Sequence, residues 1–171
     1  MSGRGRAGLA AVLLALAGAA PPLQAQLPTN APAPIGPLQT ARDSVLDVID
    51  QLFEGMRRQD SAQMRAQFAP WATLVTLDRV APADSFLKRA TPDQFVGRML
   101  RYAIPLSERL LRPDVRIKDD LASVWAYYDV RFGDRFSHCG IDAFHLARLD
   151  GRWQIIALNW TRRREKCVVV P

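Results

Sequence analysis

The sequence predicts an α+β fold, in which N-terminal helices are followed by a mostly antiparallel sheet. Apolar residues in the first half recur every three to four positions, which is typical of amphipathic helices. From about residue 112 onward they alternate at every second position, which is typical of strands. Turn signals then separate the strand-like runs at Asp119-Asp120, Gly133-Asp134 and Asp150-Gly151.

Residues 1–25 have the three-part layout of a secretory signal peptide. Arg4 and Arg6 precede an uncharged Ala/Leu run over 7–20, and the small residue Ala25 follows two prolines and a short polar stretch. We therefore expect cleavage after Ala25 and export of the mature chain to the periplasm or out of the cell.

Residues 26–37 contain four prolines and no charged residue, which predicts a flexible Pro-rich linker. One domain over 38–171 then follows, as the total length of 171 residues suggests. No apolar run reaches the ~20 residues of a transmembrane helix, so we expect no transmembrane segment in the mature chain.

The composition excludes several classes of function. Two His and two Cys are too few for a His-rich metal centre or a zinc ribbon, and we expect neither a metal nor a cofactor. The net charge of +6 weakly favours anionic partners. Nucleic acid is not expected as a partner of an exported chain.

Three helices are predicted ahead of the main run of strands. Thr40 is the expected cap of the first helix, Asp60 caps a short second helix, and Thr91-Pro92-Asp93-Gln94 begins the third. A run rich in Thr, Val and Leu over 71–77 predicts a strand between the second and third helices. The apolar stripe of the first helix consists of Val45, Leu46, Val48, Ile49, Leu52, Phe53 and Met56.

Four antiparallel strands are predicted over about 112–118, 121–132, 135–149 and 152–163. The stretch 105–111 stays open between a helical turn and a strand. Two-residue hairpin loops fix the pairing register, so side chains on one face can be arranged in rows across three strands. The rows are Asp129–His138–Arg163, Tyr127–Gly140–Thr161, Trp125–Asp142–Asn159 and Ser123–Phe144–Ala157.

The polar and aromatic face of these rows resembles the lining of a ligand pocket. We predict that this pocket is lined by Trp125, Tyr127, Phe144, Asn159, Thr161 and Arg163. The opposite face is mostly apolar and must be covered by helices or by a second subunit. That face consists of Val124, Ala126, Tyr128, Val130, Ile141, Ala143, His145, Ile156, Leu158 and Trp160.

Asp129, His138 and Asp142 form the candidate acid–base group. A carboxylate in a dry pocket could abstract a proton next to a carbonyl, as isomerases and dehydratases do. The structural alternative is an ion-pair row that joins Asp129 and His138 to Arg163. A hydrogen bond to Asn159 or Arg163 would likewise satisfy Asp142 without any catalysis.

The two cysteines, Cys139 and Cys167, are predicted to form a disulfide, because an even pair in an oxidising compartment favours one bridge. A turn over 164–166 would bring Cys167 back toward Cys139. The alternative of a reactive cysteine lacks a Cys-x-x-Cys motif.

The layout of a leader, two or three helices, a strand, a helix and a four-strand meander resembles the nuclear transport factor 2-like superfamily. Ketosteroid isomerases, SnoaL-like polyketide cyclases and scytalone dehydratase share that cone-shaped fold. The resemblance rests on Val45-Leu46-Asp47-Val48-Ile49-Asp50-Gln51-Leu52-Phe53, on Phe68-Ala69-Pro70 and on Asp150-Gly151-Arg152-Trp153-Gln154-Ile155-Ile156. Phe136-Ser137-His138-Cys139-Gly140-Ile141-Asp142 and Trp160-Thr161-Arg162-Arg163 are similar to an exported bacterial branch whose members mostly lack an assigned function.

The resemblance covers residues 38–167. It implies a strongly curved sheet with the helices packed in its concave side, a pocket inside the cone, and dimers through the outer face of the sheet. The tyrosine and two aspartates of the isomerases do not map onto this sequence residue by residue, so no catalytic role is carried over.

Three functions follow as hypotheses. The first is an exported module that binds a small apolar or amphipathic molecule. The second is a proton-transfer isomerase, dehydratase or cyclase, and the third is a homodimeric interaction protein without catalysis. A deep pocket with a strongly shifted carboxylate would favour the enzyme, and a closed cavity would favour the interaction protein.

Overall fold

The computed structural model describes residues 37–79 and 87–168. The expected signal peptide and all of the expected linker except Pro37 lie outside the described residues. Among the described helices, none is both long and apolar enough to cross a membrane.

Three helices precede or interrupt the sheet: α1 (Pro37–Arg58), α2 (Ser61–Ala66) and α3 (Pro92–Met99). Helix α1 begins at Pro37 and not at the expected Thr40 cap, since proline is well suited to the first helical position. The caps of the other two helices are confirmed. The Asp60 side chain accepts from the Gln63 amide at 3.0 Å, and Thr91 and Gln94 form a reciprocal capping box.

Six strands form one sheet in the order β2-β1-β6-β5-β4-β3. Strand β1 pairs in parallel with β6, and every other pair is antiparallel. The curved, mostly antiparallel sheet beside N-terminal helices confirms the predicted α+β fold. The strands are β1 (Phe68–Asp78), β2 (Leu87–Ala90), β3 (Leu106–Lys118), β4 (Leu121–Phe132), β5 (Arg135–Leu149) and β6 (Arg152–Arg162).

The hairpin turns pair the residues that the turn signals predict: Phe132 with Arg135, and Leu149 with Arg152. Beyond each turn, however, one residue is left out of the ladder. Ser137 is unpaired between Phe136 and His138, and Ile156 is unpaired between Ile155 and Ala157. Each omission is a β-bulge, and a bulge moves all later side chains of the strand to the other face.

The predicted rows are therefore wrong beyond the bulges. Asp142 lies opposite Ala126 and Trp160, not beside Trp125 and Asn159. Likewise, His138 lies opposite Val130 and not opposite Asp129.

The core lies between the helices and the concave side of the sheet. It holds the predicted stripe of α1 together with Phe95, Val96 and Met99 of α3. On the sheet it holds Val124, Tyr128 and Val130 of β4 with Phe144, Leu146 and Leu158. On β4 and β6, the residues that face the core belong to the face predicted to be apolar. On β5, they belong to the face predicted to be polar and aromatic.

Residues after β6 are attached to β5 in two ways. Cys139 and Cys167 form a disulfide, which confirms the predicted pairing. The backbones of Cys139 and Arg163 exchange two hydrogen bonds of 2.9 Å each. Together these contacts hold the segment that contains Arg164 beside the start of β5.

Candidate functional site

A cavity of about 200 Å³ lies between α1, α3 and the concave face of the sheet. Aromatic and aliphatic side chains line about half of its wall, which suits the apolar part of a ligand. They are Leu52, Phe53, Met56, Phe95, Met99, Leu106, Val130, Phe144, Leu158 and Trp160.

Two carboxyl groups share the inner part of this cavity. Glu108 stands on β3 and Asp142 on β5, the two strands that flank β4, and their carboxyl groups are within hydrogen-bonding reach of each other. Only 2% of Asp142 is exposed, whereas Glu108 is partly buried. Because ionised carboxylates only accept hydrogen bonds, a bond between these two groups requires that one of them carries a proton.

The environment of the pair favours that proton. Burial raises the pKa of Glu108 to about 8, a rise that the bond to Asp142 reduces and the charge of Asp129 reinforces. Burial, followed by the proximity of Glu108, raises the pKa of Asp142 as well. The pair therefore retains at least one proton at pH 7 and titrates as a unit.

One oxygen of the pair lacks a conventional donor. Asp142 Oδ2 is fully buried, and within the described part of the chain no backbone, hydroxyl or nitrogen donor bonds to it. A buried carboxyl oxygen without a donor costs free energy. Apart from the Glu108 carboxyl group, the described residues therefore offer this oxygen nothing.

Tyr128 and His138 form the wall next to the pair. The Tyr128 hydroxyl donates to the Thr161 carbonyl oxygen at 2.8 Å, and its ring meets the His138 ring edge-on at 5.9 Å between centroids. His138 Nδ1 is 2.9 Å from Ser137 Oγ. Burial, together with the positive charge of Arg162, lowers the pKa of His138 to about 4, so the imidazole is neutral at pH 7.

Charged side chains stand where the cavity meets the end of the sheet. Asp78, only 3% exposed, lies 3.6 Å from the Lys88 ammonium and 3.3 Å from the Arg162 guanidinium. Arg98 also lines the cavity. The cavity thus has a carboxyl pair deep inside and a cationic rim.

Three of the predicted site residues line this cavity: His138, Asp142 and Phe144. Trp125 and Tyr127 are on the outer face of the sheet, 57% and 37% exposed. The bulge at Ser137 explains the difference, because it places Asp142 and Phe144 on the face opposite to Trp125 and Tyr127.

The remaining predicted residues have structural contacts elsewhere. Thr161 Oγ1 accepts from the Ile141 amide at 3.0 Å, and Asn159 pairs with Ala143 outside the cavity wall. Arg163 pairs with Cys139 through its backbone and does not line the cavity.

The ion-pair row predicted for Asp129, His138 and Arg163 is wrong as well. Asp129 accepts three hydrogen bonds from the Arg109 guanidinium group, at 2.9, 3.0 and 2.7 Å, and does not line the cavity. It opposes Cys139 across β4 and β5, since the Ser137 bulge shifts His138 by one position.

Sequence reasoning missed Glu108, Tyr128, Asp78 and Arg162. Glu108 falls in the stretch 105–111, which was open between helix and strand. The alternation of Leu106, Glu108 and Leu110 is the signal that would place its carboxyl on an inward face. Within the described residues, no group of three or more His, Cys, Asp or Glu side chains could hold a metal ion.

Comparisons with known proteins agree with this architecture. A protein family described as "Putative lumazine-binding" matches residues 40–161. No protein with a curated description matches the sequence.

Many solved structures share the fold. A nuclear transport factor 2-like protein of unknown function from Shewanella baltica is 19% identical, with a TM-score of 0.58 over 76% of this chain and 98% of that one. One from Pseudomonas putida is also 19% identical, with a TM-score of 0.57 over 77% and 97%. A protein of unknown function with a cystatin-like fold, from Nostoc punctiforme, is 11% identical, with a TM-score of 0.60 over 77% and 96%. These likenesses confirm the fold that the sequence resemblance implies.

Proposed function

This chain belongs to the lumazine-binding-like family, and from that premise we propose that its cavity binds a small, mainly apolar molecule through Glu108 and Asp142. The apolar walls would hold the body of the ligand. The carboxyl pair would hold one polar group of the ligand at the inner end.

This proposal is carried by the buried Asp142 Oδ2, to which no donor bonds among the described residues apart from the Glu108 carboxyl group. A ligand N–H or O–H directed at this oxygen would remove the cost of its burial. The protonated member of the pair can in turn donate to a ligand oxygen. Such a pair is complementary to a ligand edge on which a hydrogen-bond donor and an acceptor are neighbours, as in a lactam. Lumazine has edges of this kind.

Binding of lumazine itself tests the proposal. We expect amide resonances of cavity residues to shift in two-dimensional NMR spectra when lumazine is added. Asp142→Asn should weaken binding by about tenfold, as removal of one buried charge-assisted hydrogen bond does. The matched control is Asp114→Asn, an exposed carboxylate on β3 outside the cavity, which should leave the affinity unchanged.

Two results would contradict the proposal. One is a set of shifted resonances confined to the outer face of the sheet. The other is equal affinity of the wild type and Asp142→Asn.

A second candidate function, proton transfer, is favoured by the pairing of the two carboxyl groups in one cavity. A pair that shares a proton near neutral pH offers a base and an acid within reach of the same ligand. It could remove a proton from carbon next to a carbonyl and return one at another position.

Exchange of carbon-bound hydrogen tests this second candidate. Cyclohex-2-enone in D₂O should acquire deuterium next to its carbonyl faster with the wild type than with Asp142→Asn or Glu108→Gln. If the wild type, Asp142→Asn and Glu108→Gln all exchange deuterium at the rate of the Asp114→Asn control, the carboxyl pair does not catalyse proton transfer. Binding alone would then remain as the proposed function.

We also propose that the mature chain is exported and forms a homodimer through the outer face of the sheet. The disulfide supports export, since such bonds persist in oxidising compartments. The exposed rings of Trp125 and Tyr127 support the interface. Leu158 and Trp160, which the sequence places on an apolar face to be covered by helices or by a second subunit, contact the core and the cavity and do not contribute to this interface.

Light scattering coupled to gel filtration tests the dimer. Trp125→Glu combined with Tyr127→Glu should convert a dimer of the wild type into a monomer, because two charges would be buried at the interface. Leu100→Glu, an exposed apolar position at the end of α3 and not on the outer face of the sheet, is the control and should remain dimeric. A wild-type monomer would contradict the proposal.

A further inference from the structure

A groove adjoins the cavity at the end of the sheet where β4 ends and β5 begins. It is lined by Phe132, Arg135, Phe136, Ser137 and Arg164. Tyr102, His138 and Arg162 line both the groove and the cavity. The groove and the cavity are therefore next to each other, and one ligand could occupy both.

The groove is cationic. Arg135 and Arg164 are exposed, and no carboxylate within the described residues forms an ion pair with either one. None of the described residues that line the groove is acidic. Asp78 is the nearby acid of the cavity, and it already contacts Lys88 and Arg162.

Exposed aromatic rings accompany these cations. Phe136 is 41% exposed and Tyr102 is 37% exposed, and the Tyr102 ring lies 5.1 Å from that of Phe132. Rings of this kind can cover apolar atoms close to a charged group. The groove thus combines apolar surface with two guanidinium groups that no carboxylate of the described residues pairs, and it lies next to the cavity.

We propose that this groove binds the anionic head of an amphipathic ligand, a carboxylate or a phosphate monoester, whose apolar body occupies the cavity. The guanidinium fork matches both kinds of head by paired hydrogen bonds. This inference rests on the proposed function and adds the chemical class of the ligand.

The C-terminal segment contributes to the site. The disulfide between Cys139 and Cys167 and the backbone bonds of Arg163 hold Arg164 beside β5. Arg135 faces the groove from the first position of the same strand. The two guanidinium groups are thus supplied by covalently joined elements, which limits the entropy lost when an anion binds.

Three alkyl probes of equal chain length test the inference: octanoate, octyl phosphate and 1-octanol. Affinities are measured by calorimetry on the exported protein at low and at high salt. We expect at least one of the two anions to bind about tenfold more tightly than 1-octanol at low salt. High salt should reduce the difference in affinity between the anions and 1-octanol, because salt screens exposed charges.

Variants locate the effect. Arg135→Gln combined with Arg164→Gln should remove most of the preference for anions and leave the affinity for 1-octanol unchanged. The matched control is Arg116→Gln combined with Arg152→Gln, two exposed arginines at the other end of the sheet. The control should retain the preference.

The outcomes separate this inference from the proposed function. If 1-octanol or lumazine binds in the cavity but neither anion binds more tightly than 1-octanol, the inference is overturned and the proposed function stands. The inference is also overturned if the control variant Arg116→Gln/Arg152→Gln loses the preference for anions. The same holds if the groove variant Arg135→Gln/Arg164→Gln retains it. If lumazine and all three probes fail to bind, both fail. The stronger of octanoate and octyl phosphate identifies the head group.

Discussion

The Glu108 and Asp142 side chains meet inside the cavity from β3 and β5, the two strands on either side of β4. These residues are far apart in the sequence, and their burial together raises the pKa of both carboxyl groups, which favours a proton held between them. The stability of the fold should depend on that proton, because the unfolded chain separates the two groups.

Stability should fall as pH rises through the neutral range, and Glu108→Gln should reduce that dependence. The pKa of Glu108 is about 8 in the folded protein, whereas a free glutamate titrates near 4.5. A raised folded-state pKa means that the stability is complete below pH 4.5 and is lost as pH approaches 8. Between pH 5 and 8 the wild type should lose up to about 1.4 kcal/mol per pH unit more than Glu108→Gln.

Urea unfolding at pH 5, 6, 7 and 8 measures this difference. Asp114→Asn, which alters an exposed carboxylate, should follow the wild type. Parallel pH profiles for the wild type and Glu108→Gln would show that Glu108 is ionised in the fold.

His138 should stay neutral until the pH falls to about 4, because burial and Arg162 lower its pKa. Carbon-bound ring protons of the imidazole report its titration in NMR spectra. The chain has one other histidine, the exposed His145, and His145→Gln assigns the two signals. A midpoint for His138 at or above 6.5 would contradict the buried environment that the structure gives it.

Loss of the disulfide should lower the free energy of unfolding by about 3–4 kcal/mol. The bridge joins positions 28 residues apart, and the estimate follows from the restriction of a loop of that length in the unfolded chain. Cys139→Ser combined with Cys167→Ser, compared with the wild type in urea, gives the value. Reductant should lower the stability of the wild type and not that of the double variant.

Two glycine-to-alanine substitutions should change stability in opposite directions. A Cβ on Gly140 would lie 1.9 Å from the Thr161 carbonyl oxygen and 2.7 Å from the Tyr128 ring, so Gly140→Ala should cost about 3 kcal/mol or more. A Cβ on Gly97 in α3 would lie 4.0 Å from the end of the flexible Arg101 side chain, an ordinary contact, so Gly97→Ala should stabilise by about 0.5–1 kcal/mol. Thermal unfolding compares both with the wild type. Equal melting temperatures for the two variants would contradict the close approach of β5 and β6.

Local patterns predicted most of the elements. The caps at Asp60 and Thr91 and the two-residue hairpin turns are encoded by neighbouring residues, and the structure confirms them. The disulfide could be predicted from the number of cysteines and the expected compartment.

The composition of the cavity could not be predicted in the same way. It depends on whether Ser137 and Ile156 pair with the neighbouring strand or form bulges. A pairing register that is counted outward from the hairpin turns cannot detect a residue that is left unpaired. Glu108 was missed for a related reason. Its partner is on a strand that is not adjacent, so no pairing rule connects the two.

The bulges have a consequence for how such a chain can change over time. Side chains alternate with a period of two, so a single inserted or deleted residue reverses the orientation of every position up to the next irregularity. Near Ser137, a one-codon insertion or deletion could therefore exchange many interior and surface side chains at once, without any amino-acid replacement. Relatives that share this fold at low identity can differ in ligand through such steps as readily as through substitutions.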